Sequence, residues 1–263
     1  GSIAIPLIII CIVGVLILIK LLIKKVPISS KMSYLIAIGT SVCGATAIVA
    51  TAPVINAKKS EVAYAIANIT LFGVIAMIVY PYFAEWYFDN DALDTGLFLG
   101  TSIHETSQVA AAGLIYDQQF NSPETLNVAT VTKLIRNTFL VILIPLFAFL
   151  YNRGELKGQN YSIFSIFPYF VIGFIGMIVV RNIGDQVFIP DSNFYNLWVD
   201  LIRHLKTLAT VFLTMAMAAV GISINLGELK SMGYKPFVVG LIAAITVGFI
   251  SLVYIETLIK FIN

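Results

Sequence analysis

The chain has 263 residues, of which 59% are hydrophobic and 11% charged, with a formal net charge of +2 and a mean hydropathy of +0.94. Soluble domains carry about 25% charged residues, so a water-soluble globular fold is excluded, and the small net charge gives no footing for a nucleic-acid partner. The two cysteines, Cys11 and Cys43, both fall in apolar segments and do not read as a structural disulfide.

Several segments match the roughly 20 apolar residues needed to cross about 30 Å of hydrocarbon. The first is 3–22, with Lys20, Lys24, Lys25 and Lys31 toward its C-terminal end. It opens without an initiator Met or a secretory leader pattern, so further sequence is expected ahead of residue 1. Residues 34–55 are apolar but hold Gly39-Thr40-Ser41-Val42-Cys43-Gly44-Ala45-Thr46 in their middle, and Lys58-Lys59 follow. Residues 62–82 form another span, with Pro81 near its end, and 85–94 are acidic. Residues 93–116 carry the related run Gly100-Thr101-Ser102-Ile103-His104-Glu105-Thr106-Ser107-Gln108, and 117–124 form a polar loop.

Ser122-Pro123 reads as an N-cap followed by proline at the first helical position, starting a helix that reaches about Tyr151. Arg153, Glu155 and Lys157 mark a polar loop, and 164–180 is a span closed by Arg181. After a loop at 185–192, Phe194, Leu197, Trp198, Leu201, Ile202 and Leu205 recur at helical spacing opposite Asp200, Arg203, His204 and Lys206. That pattern predicts an amphipathic helix lying along the interface. A span at 207–224, a loop at 225–235 and a last span at 236–259 complete the chain.

The expected fold class is therefore all-α: a polytopic transmembrane helical bundle, one transmembrane domain over 1–263, with two broken or re-entrant segments. Charge and length disagree about those two segments. As re-entrant hairpins they keep Lys58-Lys59 on the same side as Lys24-Lys25 and send the acidic 85–94 loop to the other, which satisfies the positive-inside rule. Yet about 22 residues suit one broken span better than a hairpin. Hairpins from opposite faces would bring both signatures to the midplane, as inverted-repeat transporters do.

Small residues and hydroxyls suit a place where a helix opens and its backbone faces a ligand. In the first run, Gly39 and Gly44 admit non-helical backbone, Thr40, Ser41 and Thr46 offer hydroxyls, and Cys43 lies between them. The alternative is close helix packing through small residues. In the second run Gly100, Thr101, Ser102, Thr106 and Gln108 repeat the ligand-contacting pattern. His104 and Glu105 are ionisable at membrane depth and are the candidates for ion or proton coupling, the alternative being a purely structural pairing. Lys133 and Arg136, three apart on one helix face, would serve an anionic substrate or a carboxylate such as Glu105, unless they snorkel to the interface. Ser223 and Asn225 could line a pathway or simply end a helix.

An enzyme is not expected. His104-Glu105 begins like a zinc-protease HExxH, but Gln108 stands where the second histidine belongs. No cofactor and no metal site are expected.

The two Gly-Thr-Ser runs, with Ala52-Pro53-Val54-Ile55, Leu71-Phe72-Gly73, Pro81 and the Thr214-Met215-Ala216-Met217-Ala218-Ala219-Val220-Gly221 run, resemble the YeiH-type bacterial membrane proteins. The resemblance covers essentially the whole chain, and Glu105 stands where that family commonly has Asp. It implies a multi-pass inner-membrane protein similar to the bile-acid/sodium symporters and cation/proton antiporters, with a core moving against a scaffold and further N-terminal spans. The family's label is sulfate export, and that substrate is an inference for the family at large. The expectation is a secondary transporter for a small anion, working by alternating access on a proton or sodium gradient. Its partners would be that anion, the coupling ion and the bilayer, with a homodimer as its assembly. A passive channel and an intramembrane enzyme centred on His104-Glu105 are the alternatives.

Overall fold

A computed structural model describes residues 3–155, 170–190, 194–222, 227, 230 and 232–259. Every regular element among them is helical: α1 (Ala4–Leu22), α2 (Ser30–Ser41), α3 (Ala45–Thr51), α4 (Lys59–Phe88), α5 (Ala92–Ser102), α6 (Thr106–Phe120), α7 (Pro123–Thr138), α8 (Leu140–Glu155), α9 (Phe170–Val187), α10 (Tyr195–Ile222) and α11 (Lys235–Tyr254), the last running into a π-helical turn at Ile255–Ile259. The protein is an all-α polytopic helical bundle. Four stretches among the described residues are long and apolar enough to cross a membrane: Ala4–Leu22, Lys59–Phe88, Pro123–Phe147 and Lys235–Thr257.

Local chemistry sets the boundaries. The Ser29 hydroxyl accepts the Met32 amide at 3.1 Å and starts α2. Glu61 accepts the Lys58 amide at 3.0 Å and starts α4, and Asp91 accepts the Asp94 amide at 2.9 Å and starts α5. Pro123 occupies the first turn of α7 as expected, but the Ser122 hydroxyl pairs with the Thr125 hydroxyl at 2.9 Å instead of capping a backbone amide. Asp89 and Asn121 close α4 and α6 in the left-handed conformation.

Both signature segments fold back. An added Cβ on Gly39 would meet Ile48 Cδ1 at 2.8 Å, although nine residues of continuous helix would hold them about 13 Å apart. The base of this hairpin closes where it began: Lys31 Nζ donates to the Asn56 carbonyl at 2.7 Å, and the Ser29 hydroxyl donates to Glu61 at 2.5 Å. The second hairpin reads off α7. Gly96 lies by Val128, Gly100 by Thr132 and Thr101 by Arg136, so α5 runs parallel to α7. Gly113 lies by Leu126 and Thr106 by Asn137, so α6 returns antiparallel. Its base sits at the far end of α4, where the Tyr116 hydroxyl donates to Glu85 at 2.5 Å and the Tyr82 and Phe120 rings meet at 6.0 Å.

The hairpins therefore enter from opposite ends. Glu61 and Glu85 are 24 residues apart on α4, about 36 Å at 1.5 Å per residue. The end that holds the base of the first hairpin collects Lys31, Lys58 and Lys59, and Lys235 joins it through the Tyr64 hydroxyl, which donates to the Gly233 carbonyl at 2.8 Å. The opposite end holds Glu85, Asp89 and Asp91. This is the charge distribution that the hairpin alternative required.

Two expectations are corrected. The amphipathic stretch 194–206 is not a separate interfacial helix: α10 is one helix of 28 residues, because no glycine or proline interrupts it before Gly221. Residues 185–187 are helical as well, since Asp185 bonds Arg181 one turn back at 2.7 Å and takes the Trp198 indole N–H at 2.9 Å. Ser223 and Asn225 lie outside the described residues.

Candidate functional site: two hairpin tips on one pair of cations

The two tips meet at Lys133 and Arg136, both fully buried. Lys133 Nζ donates to the Val42 carbonyl of the first tip and the Ile103 carbonyl of the second, each at 2.8 Å. Arg136 Nε donates to the Ser41 carbonyl at 2.9 Å, and Nη1 to the Thr101 carbonyl at 2.6 Å and the Ile103 carbonyl at 3.4 Å. Nη2 donates to the Thr40 carbonyl. These carbonyls are the C-terminal ends of α2 and α5, which have no acceptor role left inside their own helices and carry the negative end of each helix dipole. The cations thus complete both half-helices at once. Neither snorkels, and among the described residues neither forms an ion pair with Glu105; the ion pairs there are the exposed Arg181–Asp185 and Arg203–Asp200.

Glu105 serves the opposite helix ends. At the start of α6 Glu105 donates its own backbone amide to the Gln108 side-chain oxygen at 3.3 Å. Its carboxylate accepts the Ala45 amide at the start of α3, across the gap between the hairpins. The Gln108 amide group donates to the Thr70 carbonyl of α4 at 3.2 Å. Gly44, at φ +64°, makes the turn between α2 and α3, and a Cβ there would collide with Glu105.

Around this junction several buried groups have no hydrogen-bond partner: the hydroxyls of Thr40, Ser41 and Ser102, and both ring nitrogens of His104. His104 and Glu105, adjacent in sequence, do not pair with each other. Thr101 turns its hydroxyl to the Leu97 carbonyl and to the Ser251 hydroxyl of α11, both at 2.7 Å. Thr106 accepts the Asn137 side-chain amide at 3.0 Å.

The remaining candidates fall on the hairpin limbs. Gly39 is helical and packs on Ile48 and Ile69 rather than opening the chain, and Gly100 lets α5 rest on the Ala129 carbonyl and Thr132 of α7. Cys43 is buried at the first tip, whereas Thr46 is exposed on α3. Sequence reasoning missed Ser251 and Asn137. Asn137 follows Arg136 directly, and Ser251 is a hydroxyl in the apolar body of the last span; both signals were present.

Fold and site together define a polytopic helical membrane protein built on two inverted re-entrant hairpins. The chain belongs to the family described as Conserved hypothetical protein 698, whose sequence pattern matches residues 1–240 and which is the YeiH-type family that the motifs resemble. It is similar to a UPF0324 membrane protein of Fusobacterium nucleatum, 34% identical over 258 residues, covering 96% of this chain and 74% of that one. A UPF0324 membrane protein of Streptococcus pneumoniae is 32% identical over 249 residues, covering 94% and 70%. One of Yersinia pestis is 35% identical over 218 residues, covering 79% and 55%. No solved structure matches the chain.

Proposed function

We propose that this protein is a secondary active transporter for a small anion, with its site at the junction of the two hairpin tips. It would be a multi-pass protein of the bacterial inner membrane, its basic end facing the cytoplasm by the positive-inside rule. Alternating access would be driven by a proton or sodium gradient, with His104 and Glu105 as the coupling groups.

One observation supports the anion. The junction holds two helix C-termini and two helix N-termini, whose dipoles of about half a charge each cancel. Side chains then decide the balance: Lys133 and Arg136 against Glu105 leave one positive charge in excess. An uncompensated buried charge costs several kcal/mol. The backbone carbonyls nearby are already taken, while the hydroxyls of Thr40, Ser41 and Ser102 remain as donors. Surplus positive charge with free donors suits an anion.

Purified protein in proteoliposomes should take up one or more small inorganic anions saturably, and a proton or sodium gradient should accelerate the uptake. Flux that neither saturates nor responds to any gradient would instead identify a passive channel. Transport at the wild-type level by both His104→Ala and Glu105→Gln would remove the coupling assignment while leaving the transporter in place.

A further inference from the structure

The junction has two kinds of tie between the hairpins, and only one can be switched. Lys133 and Arg136 hold the carbonyl ends of α2 and α5 together. Glu105, at the N-cap of α6 in the second hairpin, holds the amide end of α3 by accepting the Ala45 amide of the first hairpin. We propose that Glu105 is a proton-operated tie between the two hairpin tips, and that Gln108, seated against Gly73 of α4, is the residue that positions it. This deepens the coupling role assigned above and rests on that reading of the junction.

The ionised carboxylate accepts the Ala45 amide in a charge-assisted hydrogen bond, roughly twice as strong as a neutral one. Protonation removes that charge and turns one oxygen into a hydroxyl whose hydrogen needs an acceptor of its own, so the tie to Ala45 weakens. The α3 limb would then be held less tightly to α6, while α2 stayed pinned to Arg136. The groups that face Glu105 are Lys133 from α7, the Cys43 thiol from the first tip and its neighbour His104. From α4, Ile69 lies against Gly44 beside it, and its partner Gln108 meets Thr70 and Gly73, none of which titrates.

The positioning is steric as well as polar. The Gln108 side chain accepts the Glu105 amide at 3.3 Å and donates to Thr70, which fixes the start of α6 against α4. Gly73 is the floor under it: a Cβ there would collide with the Gln108 carboxamide. Gly44 leaves room for the carboxylate on the other side. Two glycines from different elements are thus spent on one carboxylate and its support.

Amide hydrogen exchange of the first tip, residues 42–48, reads the tie directly in the full chain in nanodiscs, with each rate normalised to the chemical rate at that pH. In the wild type, protection should fall at least tenfold between pH 8 and pH 5. In Glu105→Gln it should be low and independent of pH. In Gly73→Ala it should be low at pH 8, and combining it with Glu105→Gln should add nothing. Wild-type protection that ignores pH, or a Glu105→Gln variant that keeps the wild-type pH profile, would overturn the tie. Additive loss in the double variant would overturn the positioning role. If these exchange results hold but no anion is transported, the tie stands and the transporter reading falls.

Discussion

Arg136 satisfies four carbonyls on two separate hairpins from one side chain, and no other residue type could do so. Each buried carbonyl left without a donor costs about 1–3 kcal/mol. Arg136→Ala should therefore destabilise the protein by about 3 kcal/mol or more, and Arg136→Lys, which keeps the charge but loses the fork, by about 1–2 kcal/mol. Thermal unfolding in detergent should rank them wild type, then lysine, then alanine. Equal melting temperatures for all three would contradict the geometry. At this scale the sequence was partly legible. Intramembrane charge marked His104, Glu105, Lys133 and Arg136 as unusual, but it could not say that the cations answer carbonyls rather than Glu105. That depends on which helix ends point at them, a tertiary fact. Gly39 and Gly100 misled for a related reason: glycine reports a close approach as readily as a break, and here both sit within helices under a neighbour.

The hairpins were the undecided elements, and the two sequence arguments about them pulled apart. Charge was right because Lys58-Lys59 must stay with the basic end. Length misled because it assumed that each limb needs a full crossing. α2 has 12 residues and α5 has 11, so each reaches about 17 Å, roughly half the hydrocarbon thickness. The return limb α3 is shorter still, with 7 residues. The topology can be read with single cysteines introduced at exposed positions in a Cys11→Ser, Cys43→Ser background. Lys24→Cys and Asn56→Cys should react with a membrane-impermeant maleimide from the same side, and Asn121→Cys from the other. Labelling of positions 24 and 56 from opposite sides would mean that the first signature crosses the membrane after all. The boundary between amphipathic and apolar halves of α10 was equally visible in sequence, yet it marks no break, because a change of polarity does not interrupt helical hydrogen bonding.

At the scale of the whole molecule, one segment organises both halves. α7 and α8 cross from the acidic end toward the basic end, with α5 and α6 packed on the first part and α2 on the second, where Tyr34 meets Phe147 and Tyr151 edge-on at 5.5 and 5.7 Å. The spans and the inverted charge were legible from hydropathy and lysine placement, whereas the meeting of the tips at the level of Arg136 was not, since nothing local encodes a contact across 95 residues. That the hairpins stop half-way has an electrical consequence. Wherever water reaches the two tips from its own side, the membrane potential falls across the thin layer between them instead of across the full bilayer. A unit charge that moves through that layer exchanges about 2.3 kcal/mol per 100 mV with the field, however short its path. Occupancy of Glu105 by a proton, and passage of an anion past it, should both respond steeply to voltage: at fixed pH, reversing a potassium diffusion potential in proteoliposomes should change the initial rate several-fold. A rate indifferent to voltage would place the barrier elsewhere.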